Sequence, residues 1–108
     1  MELTQVTSEI YDASKRLSEG SKQLFKLAKE SAEAERDYRA ALATEIISLK
    51  IEGLQATLIP DVARGNTAEL KFQRDLKEAQ YTSGRDSLKA IMAQVNALQT
   101  IVKYVAEV

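Results

Sequence analysis

Three carboxylates, Glu30, Glu33 and Asp37, stand three and four residues apart, a spacing that puts them on one face of a helix. Carboxylates gathered in this way hold a divalent cation or divide into an acid and a base. Helical di-iron sites add a histidine three residues beyond such a glutamate, and this chain has no histidine. Lys26, Lys29 and Arg36 lie within a turn and offset the charge. The cluster therefore reads as a solvated charged face. No metal and no cofactor is expected.

Arg-Asp occurs three times, at Arg36-Asp37, Arg74-Asp75 and Arg85-Asp86. Neighbouring helical positions point in different directions, so these are not expected to pair internally. Pairing across two helices is the favoured reading, and contact with acidic or phosphate groups of a partner is the functional one. The run Asp61-Val62-Ala63-Arg64-Gly65-Asn66 combines an acid, a base and a turn signal. It lacks the glycine density of a phosphate loop, so turn and cap formation outweighs anion binding. Tyr11, Tyr38, Tyr81, Tyr104, Phe25 and Phe72 are the only aromatics, scattered at helical spacing. A base-stacking platform needs them clustered on a basic surface, so packing in a core or a partner groove is expected instead.

Cysteine, histidine and tryptophan are all absent. Their absence removes disulfides, thiolate and imidazole zinc sites, thiol nucleophiles and every histidine-dependent triad. Net charge is −1, with eight basic and ten acidic residues in 1–53 and seven and six in 54–108. Neither half has the basic field that duplex binding requires, so nucleic acid is a partner the sequence does not favour. No apolar run approaches a membrane span, and the first residues do not resemble a secretion signal. A cytoplasmic location is expected.

Helices must position whatever the chain does. At 108 residues, 44% of them apolar, with four glycines and one proline, it reads as a single all-α domain over 1–108. Leu3, Val6, Ile10, Ala13, Leu17, Gly20, Leu24, Leu27, Ser31, Ala34 and Tyr38 alternate three and four apart. That is the seam of a helix lying lengthwise on another helix. After Tyr38 the seam slips to Leu42, Ile46 and Leu49, a stutter that rotates the apolar face. A helix is predicted over 4–52, capped by Thr4 or Thr7, with Gly20 as its weak point and Ser21 the cap of a second helix if it breaks there.

Gly53 should end that helix. Residues 53–66 read as a folded connection anchored by Leu54, Leu58, Ile59 and Val62, in which Pro60 opens a short turn that Gly65 closes. Pro60 is expected to push Ile59 out of helical geometry. Asn66 and Glu69 have capping-box spacing, which predicts a helix over 67–107. Its second half carries the strict seam Leu88, Ile91, Val95, Leu98, Val102 and Val105. Its first half has Leu70, Phe72, Leu76 and Ala79 on one face, which implies a phase change near Thr82-Ser83-Gly84. Two such helices, joined by a short connection, form a long antiparallel hairpin.

Phe25, Met92, Ile101 and Tyr104 lie off the seams and would stay wet in a lone hairpin. Burying them favours assembly into a helical bundle or coiled coil, most simply a homodimer. The oligomer seam is expected to include Leu3, Val6, Ile10, Leu17, Leu24, Leu27, Leu88, Ile91, Val95, Leu98, Val102 and Val105. A contact surface for another protein is expected at Leu58, Ile59, Asp61 and Arg64, with Arg74 and Arg85.

The stretch Tyr38-Arg39-Ala40-Ala41-Leu42-Ala43, the connection Glu52-Gly53 to Gly65, and Arg74-Asp75 with Tyr81 resemble small helical proteins of phages and prophages of Gram-positive bacteria. The resemblance covers roughly 24–108 and carries no assigned activity. It implies a phage origin, an early role among recombination genes, and action by contact with a host or phage protein, including host defence machinery. The alternatives are a nucleic-acid accessory factor using Lys71, Arg74, Lys77, Arg85 and Lys89, or a virion assembly part. An enzyme is not expected.

Overall fold

A computed structural model describes residues 2–107, and every regular element among them is helical. Helix α1 spans Leu3–Ile51, α2 spans Ile59–Asn66 and α3 spans Ala68–Glu107. The packing divides the chain into two compact units. A terminal unit joins Met1–Lys26 to Thr82–Val108, and a connection unit comprises Leu27–Tyr81.

In the terminal unit the three-four seams of α1 and α3 meet. Val6 and Ala13 are almost fully buried and Leu98 nearly so, with Ile10, Leu17, Leu24, Leu88, Ile91, Val95, Val102 and Val105 half-buried around them. Residues expected as an oligomer seam are thus covered within the chain; only Leu3, 46% exposed, stays open. Leu27 is half-buried in the connection unit.

The helix does not break at Gly20. A Cβ there would sit 2.5 Å from Leu88 Cδ2, so glycine leaves room for α3 to approach and the seam keeps its register. Ser21 Oγ donates to the Leu17 carbonyl at 2.8 Å, and Thr7 Oγ1 does the same to Leu3. Both hydroxyls sit inside the helix: Thr7 does not cap it as expected, Thr4 is likewise helical, and with no break Ser21 starts no second helix.

The connection unit holds the second core, Leu49 with Ile59 and Ala63, flanked by Leu42, Ile46 and Leu54. Here the stutter has its purpose: it turns Leu42, Ile46 and Leu49 toward α2. Gly53, at φ 86°, ends α1 as expected. Its N–H donates to the Lys50 carbonyl and that of Leu54 to Leu49, both at 3.1 Å, while Leu54 packs on the same cluster. This pair of bonds with its apolar contact is the Schellman arrangement.

Three expectations about the connection fail, and the anchoring of α2 by buried Ile59 and Ala63 accounts for two of them. Ile59 is the first helical residue, not an extended one, because its side chain is buried against Leu49 and Ala63. Pro60 follows where its missing N–H is harmless. Gly65 does not stop α2, which runs on to Asn66. Asn66 does not cap α3, since its amide donates to Glu45 Oε1 at 2.7 Å. Thr67 alone joins the two helices: its N–H and hydroxyl both bond the Ala63 carbonyl, and its own carbonyl accepts from Lys71.

Helix α3 is continuous, with no phase change near Gly84. Counting back from Leu88 in threes and fours reaches Gly84, Tyr81, Lys77, Arg74, Leu70 and Thr67. These are the residues turned inward, all half-buried or better except Leu70. Phe72, Leu76 and Ala79, read from the sequence as the packed face, are exposed.

Candidate functional site

Arg74 is the best-connected polar side chain of the connection unit. Its Nε and Nη2 donate to Asp75 Oδ1 at 3.0 and 2.9 Å. Nε also lies 3.4 Å from Glu35 Oε2 across on α1, and the guanidinium carbon stands 4.7 Å above the centre of the Tyr38 ring. Tyr38 is buried beneath it. Arg39 grips the other oxygen of Glu35 at 2.6 Å, and Lys71 reaches Asp75 at 3.3 Å.

The electrostatics follow. The hydrogen bonds that Arg74 donates to Asp75, with the nearby charges of Asp75 and Glu35, raise the Arg74 pKa. Bonds from Arg74 and then Lys71 hold the Asp75 carboxyl below its ordinary value. One turn on, Lys77 Nζ meets Glu30 Oε2 at 3.4 Å, the second ion pair from α3 to α1 in this unit.

Beside Arg74 runs a groove of about 660 Å³, floored by Ala28, Ser31 and Ala32 and edged by Glu35, Glu78 and Tyr81. Its one cation, Arg74, is matched by two carboxylates, so the groove presents no unpaired cation to an anion. The arrangement fastens α3 to α1.

The expected carboxylate trio does not act together. Glu30 turns to Lys77, Glu33 to Lys29 at 3.9 Å, and Asp37 to Arg36 at 3.1 Å. Among the described residues no group of three or more acids is placed to hold a metal ion.

The three Arg-Asp neighbours do pair, at 3.1, 2.9 and 3.7 Å, which corrects the expectation. An arginine side chain is long enough to curl back around the helix to the next residue's carboxylate. Arg74 also makes the cross-helix pair foreseen for such motifs.

Of the expected contact residues, Leu58, Asp61 and Arg64 are exposed around α2, with Asp61 and Arg64 paired at 2.9 Å. Ile59 is core and takes no part in a surface. Arg74 is occupied within the unit, and Arg85 lies in the terminal unit beside Asp86. The structure therefore brings together Leu58, Asp61 and Arg64, joined by Val62, and leaves the two arginines elsewhere.

Outward faces carry the exposed apolar side chains. Phe25, Tyr11, Met92 and Tyr104 are open in the terminal unit, and Ile47, Ile51 and Phe72 in the connection unit, each more than half exposed. No family model, curated protein or solved structure matches this chain. No helix among the described residues is long and apolar enough to cross a membrane.

Proposed function

We propose that this chain is a non-catalytic protein that works by docking helix faces on other proteins. The supporting observation is the set of large apolar side chains on the outer faces, from Met92 at 54% exposure to Ile51 at 81%. Scattered single apolar residues are ordinary on a surface; aromatic and aliphatic residues repeated along outer helix faces are the mark of contact. The resemblance to phage proteins adds a host-cell cytoplasm as the setting and a host or phage protein as the partner.

The docking surface we favour is the outward side of α2, with Leu58, Asp61, Val62 and Arg64. It presents apolar side chains beside an exchangeable acid–base pair, the mix found at protein interfaces. Nucleic-acid binding is less well supported. Of the five basic residues that such a role would use, Lys71, Arg74, Lys77 and Arg85 each lie against an acid, which leaves Lys89.

Affinity capture of the phage-infected host proteome, wild type against Asp61→Lys/Arg64→Glu, tests the reading. The double variant should keep its helicity and melting temperature and lose a specific partner. Equal capture by both forms overturns the α2 surface. Salt-sensitive shifts of DNA in a gel overturn the protein-contact reading itself.

A further inference from the structure

One stretch of the terminal unit is out of character with its exposure. From Ala90 to Val102 α3 has no charged residue on any side, in a chain 29% charged. Its inner side is accounted for by Ile91, Val95, Leu98 and Val102 against α1. Its outer side is Asp86, Ala90, Ala93, Ala97, Thr100 and Tyr104, stepping four, three, four, three and four, and every one is exposed. Ile101 and Tyr104 add 37% and 69% exposed surface there.

We propose that this outer side of α3 pairs with the same side of a second copy, antiparallel and about a twofold axis level with Val95. The inference deepens the docking reading above by naming the partner of this face.

The charge pattern selects the occupant and its direction. Between 85 and 104 the charges are Arg85 and Asp86, which lie 3.7 Å apart, with Lys89 and Lys103. Antiparallel pairing sets Ala93 against the partner's Ala97 and Ala90 against the partner's Thr100. Asp86 then meets the partner's Tyr104, whose hydroxyl donates to it, with the partner's Lys103 alongside. The twofold repeats each contact, as an isologous interface must. Like charges stand apart, with Lys89 and the partner's Lys89 twelve residues out of register, roughly 18 Å along the axis. Parallel pairing would stack Lys89 on Lys89, Lys103 on Lys103 and Asp86 on Asp86. Small side chains on both sides let the axes approach to about 8 Å. One helix pair of this length is a small interface, so the dimer is reversible and dissociates at micromolar concentrations.

Sedimentation equilibrium and cysteine cross-linking decide it, and the chain's lack of cysteine makes the second clean. Wild type should show a monomer–dimer equilibrium, and Ala97→Arg should weaken it more than about tenfold, by placing a charge on the twofold seam, with unchanged helicity and melting of the monomer. Single variants Ala93→Cys and Ala97→Cys, mixed and oxidised, should give the mixed disulfide faster than either homodimer. A monomer at all concentrations overturns the pairing, as do a dimer indifferent to Ala97→Arg and faster Ala93–Ala93 cross-linking. Asp61→Lys/Arg64→Glu lies in the other unit and should leave the equilibrium unaltered, so its capture result tests the α2 reading separately.

Discussion

The terminal and connection units use one three-four geometry and fill it differently. In the terminal unit the facing positions are hydrocarbon: Val6, Ala13 and Leu98 are buried, and Gly20 admits Leu88. In the connection unit the same positions on α3 are Tyr81, Lys77, paired with Glu30, and Arg74, paired with Glu35 and lying over the Tyr38 ring. Its apolar core is set aside at the Leu49–Ile59–Ala63 cluster beneath α2. A heptad thus dictates which residues face inward without dictating that they be apolar. Long cations lay their methylenes along the partner helix and pair their charged ends at its edge.

Perturbing the two units in turn sharpens this contrast. The largest effect should come from Ile59→Ala, which empties the centre of the small cluster and should cost about 2–5 kcal/mol in urea unfolding. A loss comparable to that of a surface substitution would mean the cluster does not hold the connection. Arg74→Met should come next. It leaves Glu35 and Asp75 without their shared partner, and the melting temperature should fall by less than for Ile59→Ala. It should also lower the salt dependence of stability, with the Lys77–Glu30 and Arg39–Glu35 pairs keeping the remainder.

Acid should reach the connection unit first. The Asp75 carboxyl is held low in the folded chain, so its pairing adds stability above the ordinary aspartate value of about 3.9. That contribution should be lost as the pH falls from there through the lowered folded value. Hydrogen exchange around Arg74 should accelerate below about pH 4 in the wild type and lose that acceleration in an Asp75→Asn variant. Equal acid sensitivity in wild type and variant would assign the effect to other carboxylates.

The smallest effect tests the apolar unit. Gly20→Ala gains helix propensity, about 1 kcal/mol, but its methyl meets Leu88, so the net change in the wild-type background should be near zero. In a Leu88→Ala background the same change should stabilise by close to that full amount. Equal effects in both backgrounds would show that the close approach does not matter.

Much of this was readable beforehand because apolar spacing reports helix pairing directly. Both long helices, the stutter and the Gly53 stop follow from particular residues, and the structure has all three. Apolarity alone misplaces the inward face of the first half of α3: it selects Phe72 and Leu76, while the strict count back from Leu88 passes through Arg74 and Lys77. The turn chemistry of Asn66 and Gly65 misled for a related reason: burial of Ile59 and Ala63 carries α2 through both signals. The Glu45–Asn66 and Glu35–Arg74 bonds join positions far apart in the chain, and no local pattern announces them.

One asymmetry in the connection bears on how the protein is handled. Only Thr67 stands between α2 and α3, whereas residues 52–58 lie between α1 and α2, with Gln55, Ala56 and Thr57 exposed. Extra sequence is best accommodated in that longer link, where the bond from the Leu58 N–H to the Gln55 carbonyl is what it interrupts. A fluorophore or epitope placed after Gln55 would label the molecule beside its candidate docking helix, whereas one residue inserted at Thr67 would tear that helix from its mooring.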